Sequence, residues 1–401
     1  MQCQELNPPV PCKVHLPSLL AAVVAVLLAI VALVFAPPAV AADHSARLAK
    51  LSDDYFELRL SLFSLSATED VGDPRFDGVL EIEISPDHRA RQSAAFNGIL
   101  KQLGTMPVAA LTPADRLTYQ VLKYDVSMRL EALKHPRHLL PVHQLEMAPV
   151  KLAGWAGGQS VQPFKTVQNY ENYLKRLERL PLWNSQAIGN MREGMRTGVV
   201  QSRSLVERAL EQLKTLAESG VEDSAYFSPI KRLPADFSPE DKARLAAAYR
   251  EVLSERVLPS TKRLYAFVRD EYLPNARSGA GLGSVPGGDA WYRFNVREST
   301  TTDLTAEQIH ANGLKEVARI HREMETIKAK VGFDGPLFDF LKAMDKRADR
   351  LPFKTDDEVL AQFRAIDARV EPALSRLFGR APMAKMEIRP VDPLIRDSAS
   401  S

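Results

Sequence analysis

The chain has 401 residues, 45% hydrophobic and 25% charged, with 52 Lys and Arg against 50 Asp and Glu for a formal net charge of +2. This balance excludes a nucleic-acid binder, which needs a basic stripe to displace counterions from phosphate; charges of both signs are instead interleaved along helix faces read as solvated, as at Lys175, Arg176, Glu178 and Arg179. Both cysteines, Cys3 and Cys12, precede a long uncharged run, so no disulfide staples the body, and no repeat of roughly 20–50 residues points to a solenoid.

The uncharged run extends from Leu19 to Phe35, behind Lys13 and ahead of Pro37 and Pro38. Ala39-Val40-Ala41 has the small-residue spacing of a signal-peptidase site, so residues 1–41 are expected to form a leader cleaved after Ala41. The run also approaches the roughly 20 residues that span a bilayer, which leaves an uncleaved membrane anchor over 19–35 as the alternative. Either route puts the chain after His44 outside the cytoplasm, as a single helical domain over 42–401.

Leu48, Leu51, Tyr55, Leu58 and Leu62 recur at three and four residues, which predicts a first helix ending near Ser66. The loop from Gly72 to Ile84 carries Asp73, Arg75 and Asp77, read as an ion pair bracing the loop in preference to a catalytic carboxylate pair. Ser85-Pro86 and Thr112-Pro113 each place a capping hydroxyl before a first-turn proline, starting two helices expected to pack as a hairpin. From Lys134 to Phe164 prolines and glycines break every regular pattern; His135, His138 and His143 lie there at spacings that suit neither a zinc finger nor a helical pair. Helices are then expected over 166–179, 181–194 and 204–218, the last closed by Gly220 in a left-handed cap. Ser238, Pro239 and Asp241 open a long helix toward Tyr272, kinked at Pro259.

Gly279, Gly281, Gly283, Gly287 and Gly288 with Pro286 then force a loop. From Trp291 to Arg297 apolar and polar residues alternate, with Tyr292, Phe294 and Val296 on one side, which is the period of a half-buried strand. Such a strand either caps the helical core or offers its edge to an extended peptide. Thr305-x-x-Gln308 forms a capping box, and Ile309, Val317, Ile320, Met324 and Ile327 follow at helical spacing. Gly332 to Pro336 turns the chain, Thr355 to Glu358 caps another helix, and Met383 to Val391 reads as extended. The fold class is therefore mainly α, a large bundle-like body with a minor β element around 290–297.

No catalytic motif appears in this frame. A zinc peptidase needs two imidazoles one helical turn apart with a glutamate between them, and none of the eight histidines meets this. His310 has Glu307 three residues before it but no second copy of the pair. There is no G-x-S-x-G elbow and no phosphate-binding G-x-x-x-x-G-K-[ST] loop.

P-N-A-R-S-G-A-G-L from Pro274 to Leu282, P-G-G-D-A-W-Y from Pro286 to Tyr292, and the run from Thr300 to Ile320 resemble the bacterial domain-of-unknown-function 885 family. G-D-P-R-F-D from Gly72 to Asp77 and S-P-D-H-R-A-R from Ser85 to Arg91 extend the resemblance over nearly everything after the leader. It implies a gluzincin metallopeptidase in the periplasm or cell envelope, with zinc as the cofactor of full-length relatives, held by an H-E-x-x-H helix expected downstream. This chain is thus expected to be the N-terminal portion, truncated before the metal site, with no metal or cofactor of its own and no catalytic residue carried over. By analogy with the substrate-binding edge strand of gluzincins, Gly287, Gly288, Trp291 and Tyr292 are candidates for positioning a peptide, with Arg277 a partner for its carboxylate. The competing expectations are a non-catalytic envelope module that binds peptides, and an incomplete product whose helix faces remain exposed.

Overall fold

The structure, a computed structural model, describes residues 38–145, 147–157, 161–347 and 352–391. The apolar run at 19–35, both cysteines and the segment from Asp392 onward lie outside these residues. Among the described residues no helix is long and apolar enough to cross a membrane. No strand occurs among them either, only one isolated parallel bridge between Ser202 and Arg277. The chain forms two compact units, one from residues 38–62 with 90–134, the other from 63–89 with 135–391.

The first unit contains α1 (Pro38–Leu62), most of α2 (Pro86–Gly104) and α3 (Pro113–Ala132). Leu48, Leu51, Tyr55 and Leu62 are buried along α1, the stripe that the sequence spacing predicts. The Tyr55 ring lies 6.4 Å from Phe96 of α2, and its hydroxyl donates to Asp125 of α3, which also accepts from Arg129 Nε at 3.0 Å. Thr112 caps α3 by accepting from the Asp115 amide at 3.1 Å, so the Thr-Pro start works as its chemistry dictates.

The second unit is built around α5 (Val167–Thr197), against which α4 (Ala148–Ala156) and the long rod α7 (239–275) pack, while α6 (Arg203–Glu218) packs on that rod and on α4. Helix α7 runs without break through Pro239–Val252, Leu253–Val257, Leu258–Phe267, Val268–Tyr272 and Leu273–Asn275. Its second and fourth segments are wide i→i+5 turns, and each lies just ahead of a proline, Pro259 and Pro274. Proline has no N–H to return to the preceding turn, and the widened turn absorbs that loss. The predicted kink at Pro259 takes this form, with Ser260 and Thr261 hydroxyls donating to the Val257 carbonyl at 2.8 and 2.9 Å.

Tyrosines dominate the core of this unit. Tyr170, Tyr173, Tyr226, Tyr249 and Tyr272 are all buried. Four donate their hydroxyls to backbone carbonyls: Tyr173 to Leu152 (2.8 Å), Tyr226 to Pro149 (2.9 Å), Tyr249 to Tyr170 (2.8 Å) and Tyr170 to Arg232 (3.3 Å). Tyr272 instead accepts the Gln201 amide at 2.8 Å. Ring area drives the burial while each polar tip stays satisfied.

Four local expectations are corrected. The two helices predicted over 166–179 and 181–194 are one, because Pro181 is carried inside α5 and Arg256 Nη2 donates to the Glu178 carbonyl one turn ahead of it at 3.0 Å. The stretch 134–164, read as irregular throughout, contains α4, started by Pro149 in its first turn, where a missing N–H costs nothing. Helix α6 ends on Ser219 in extended backbone, and Gly220 is not left-handed. Arg176, read as a solvated charge, has no exposed surface. It donates to the carbonyls of Val79 (3.0 Å) and Phe76 (2.8 Å), to Thr68 Oγ1 (2.7 Å) and to Gln162, and stacks on Trp155.

The remaining helices are α8 (Gly288–Thr300), α9 (Ala306–Lys330), α10 (Leu337–Asp345) and α11 (Asp356–Leu377). The minor β element expected around 290–297 is therefore overturned, since those residues lie inside α8. Gly288, Trp291 and Phe294 form its buried face at a spacing of three residues. Tyr292, Phe294 and Val296 fall on every second position while the buried Trp291 and Phe294 are three apart, and so short a window does not separate the two periods. With the strand goes the edge that would have paired a peptide backbone.

Candidate functional site

The site is built from two helices and the turn between them. Gly287 adopts φ +71° and serves as the N-cap of α8, while Gly288 lies so close to the preceding loop that a Cβ there would come within 1.7 Å of the Leu282 carbonyl oxygen. Arg277, earlier in the chain, fastens that loop. Its Nε donates to the Val200 carbonyl at 3.0 Å, and its Nη1 donates to Gly281 at 2.7 Å and to Gly279. The guanidinium expected to be a carboxylate partner thus holds the glycine loop by its own carbonyls.

At the other end, α8 closes on Thr301, a non-glycine residue in the left-handed region at φ 55°. Four residues later the capping box starts α9: Thr305 Oγ1 accepts from the Gln308 amide at 3.2 Å, and Gln308 Oε1 accepts from the Thr305 amide at 2.9 Å. The Thr-x-x-Gln signal in the sequence is met in full.

Between α8 and the start of α9 lies a groove of about 540 Å³. From α8 it takes Asp289, Tyr292, Arg293, Val296 and Arg297, which share one face by their spacing of three and four residues. Leu304 and Glu307 come from the turn and the first turn of α9. Tyr292 is 48% exposed and Leu304 41%, so both offer apolar area to the groove. The side chains of Arg293, Asp289 and Asp303 make no hydrogen bond or ion pair among the described residues. Glu307 is less available: its own amide, then the Thr305 hydroxyl, hold its carboxyl below the usual range.

The other positions named from sequence fall elsewhere. Trp291 turns away from the groove into the core, 4% exposed, with its ring stacked at 6.0 Å on His135, which also meets Phe294 at 4.8 Å. Burial, reinforced by the Arg89 charge, pushes the His138 ring down to about 4, so it is neutral at physiological pH. His310 and His321 sit on exposed positions of α9. Among the described residues no three His, Cys, Asp or Glu side chains come together as ligands of a metal ion would. The described residues thus hold no ready-made ligand set for the zinc that the family resemblance implies for full-length relatives.

One half-buried acid stands apart from the groove. Glu83 precedes α2 beside Glu81, which meets His88 Nδ1 at 3.1 Å, and Lys151, which reaches Glu69 at 2.6 Å. Burial raises the Glu83 carboxyl from 4.5 to about 7, with Lys151 opposing and Glu81 reinforcing the shift. The folded state then keeps a proton that the unfolded chain has released, so this contribution to stability is complete below pH 4.5 and is lost as pH rises through 7. Glu83 keeps some surface, and solvent screening there limits the effect to about 2 kcal/mol. Urea unfolding of wild type should therefore lose about 2 kcal/mol relative to Glu83→Gln between about pH 4 and pH 8. A difference that stays constant with pH would place the proton elsewhere.

The last three helices present a second feature. No residue of α9 or α11 is buried, although Leu314, Val317, Ile320 and Ile327 on α9 and Phe363, Ile366 and Val370 on α11 recur at helical spacing. Leu314 is 59% and Phe363 56% exposed. Amphipathic helices commonly bury such stripes, so an exposed stripe on each of two helices is a candidate interaction surface.

Without a strand among the described residues, and with an open groove and exposed apolar stripes on two of its helices, the chain is of the mainly helical class. Within that class the chain belongs to the family described as Bacterial protein of unknown function (DUF885), whose sequence model matches residues 66–401. No curated protein matches the chain. Its fold is similar to the solved structure of "the putative lipoprotein from Colwellia psychrerythraea", with a TM-score of 0.75 at 19% identity, covering 89% of this chain and 64% of that one. The chain thus spans less than two thirds of the length of the Colwellia protein.

Proposed function

We propose that this chain is the scaffold portion of an exported peptide hydrolase of the family's type, and that the exposed apolar stripes of α9 and α11 seat the polypeptide that carries the reacting groups. The observation that carries this reading is the exposure of these stripes: two helices of 25 and 22 residues, each amphipathic by sequence, without one buried side chain. The Colwellia protein has chain beyond the 64% that this one covers, and a polypeptide matching that additional length is the proposed occupant. The description of that protein as a lipoprotein supports a cell-envelope location, in keeping with the leader-like run from Leu19 to Phe35.

The test is reconstitution. The 401-residue chain is titrated with a separately made polypeptide corresponding to the remaining third of a full-length relative. Association with a Kd of about 1 μM is expected, with loss of apolar-dye fluorescence and with peptide cleavage only in the pair. Val317→Asp with Ile366→Asp should weaken association by about two orders of magnitude, since each burying position becomes an unpaired charge. Chelator-sensitive cleavage by the chain alone, or association indifferent to the double substitution, would overturn the reading.

The groove favours a second reading, a non-catalytic envelope module that binds peptides. It is separated from the first by the same experiment, because a module shows saturable peptide binding with no cleavage in any pairing.

A further inference from the structure

We infer that the groove between α8 and α9 is a binding site for a short free peptide, of two or three residues, held by both of its charged termini. The inference deepens the peptide reading above by naming the ligand class, and it does not depend on the exposed stripes of α9 and α11.

Size is the first constraint. The volume of about 540 Å³ lies within the roughly 300–1,000 Å³ typical of small-ligand sites and is far too small for a folded partner. Charge is the second. Arg293 and Arg297 face the same space as Asp289 and Asp303. A simple anion such as phosphate would meet the carboxylates, and a simple cation would meet the guanidinium groups. A ligand with one charge of each sign at opposite ends satisfies both sets.

The charges also stand ready. Asp289 and Arg293 are four residues apart on one helix face, a spacing at which opposite charges commonly pair, yet they do not. Arg293 presents a planar fork that matches a terminal carboxylate. Asp303, in the turn ahead of α9, is correspondingly free to accept from a terminal ammonium. Tyr292 and Leu304 between them give a side chain of the peptide an apolar and aromatic surface.

Rigidity is the third constraint. The glycine loop fastened by Arg277 fixes one end of α8, and the capping box fixes the start of α9. Both walls are therefore set before the ligand arrives, which lowers the ordering cost of binding.

The test uses the full chain and isothermal titration with the tripeptide Ala-Phe-Ala, its N-acetyl form and its C-terminal amide. Saturable binding of the free tripeptide in the range of about 0.1–1 mM is expected, with each blocked end weakening it about tenfold. Arg293→Gln should abolish the difference between acid and amide, and Asp303→Asn the difference between free and acetylated amine, while thermal unfolding stays unchanged. Blocked and free peptides binding alike would overturn the inference, as would no saturation with any of the three at about 10 mM or propionate binding as well as the tripeptide. The blocked-peptide comparison on wild type decides the matter even where a variant misfolds. Failure here leaves the scaffold reading standing if reconstitution succeeds, and binding without cleavage in any pairing sinks the hydrolase while keeping the groove.

Discussion

Arg176→Met should lower the stability of the folded protein by about 3–5 kcal/mol, read as a fall in the urea midpoint at unchanged slope. A loss of that size is a large fraction of the total for a domain of ordinary stability. Met fills much of the volume and keeps an apolar contact with Trp155, so the expected loss is electrostatic rather than a cavity. The guanidinium supplies donors to Val79, Phe76, Ser64 and Thr68, and to Gln162, and all of these acceptors lie in the same unit. Removing it strands buried acceptors that no water replaces. It also removes the positive charge near Asp77, itself 3% exposed and bound to Thr68 Oγ1 at 3.0 Å, whose carboxyl burial already holds above the usual range. Burial lowers the Arg176 guanidinium to about 10, which leaves it charged at neutral pH. Arg176→Lys keeps the charge but not the planar fork over Trp155, and should recover less than half of the loss. A cost below about 1 kcal/mol for the Met substitution would mean that water reaches the network.

That residue also shows what the sequence could and could not convey. Lys175, Arg176, Glu178 and Arg179 together look like a solvated helix face. Only the three-dimensional arrival of the Gly72 to Ile84 loop, with its inward carbonyls, makes Arg176 a core residue. Local chemistry was legible: the Thr112, Ser238 and Thr305 caps all accept the amide three residues on, at 3.1, 3.0 and 3.2 Å. Capping depends on neighbours along the chain, so a few residues suffice to announce it. The helical class follows from periodicity for the same reason. Pro181 misleads because proline inside a helix is decided by what satisfies the preceding turn, here a guanidinium from another helix.

The groove was half legible. Tyr292 is a candidate through the family resemblance and lies in it, whereas Trp291, its neighbour, is in the core. Reading 291–297 as a strand puts Arg293 and Arg297 on a face with Trp291. On a helix they share a face with Asp289 and Tyr292 instead. The signal that finds them is the i, i+4 series Asp289, Arg293, Arg297, visible once Gly288 is taken as the start of a helix. Asp303 and Leu304 reach the site only through the turn at Thr301, which no spacing rule foretells.

Gly288→Ala is expected to cost about 3 kcal/mol or more, against about 1 kcal/mol for Gly287→Ala next to it. The two glycines look interchangeable in sequence but fail for different reasons. Gly287 needs its left-handed φ of +71° and has open space where a Cβ would stand, so alanine incurs backbone strain and nothing more. Gly288 has ordinary backbone, but its Cβ would overlap the Leu282 carbonyl oxygen at 1.7 Å and its carbon at 2.7 Å. Backbone atoms cannot swing aside as a side chain does. Relief requires moving the Leu282–Ser284 turn, which is held by the Val285 amide to the Leu282 carbonyl at 2.8 Å and by Arg277 to the Gly281 carbonyl at 2.7 Å. Shifting it also tilts the first turn of α8, which carries Asp289 and Tyr292 into the groove. Peptide affinity should therefore fall with stability in Gly288→Ala and be retained in Gly287→Ala, as thermal unfolding and titration of the same two samples will report. Equal losses in the two variants would show that the loop yields, and that the Arg277 contacts do not hold the groove wall in place.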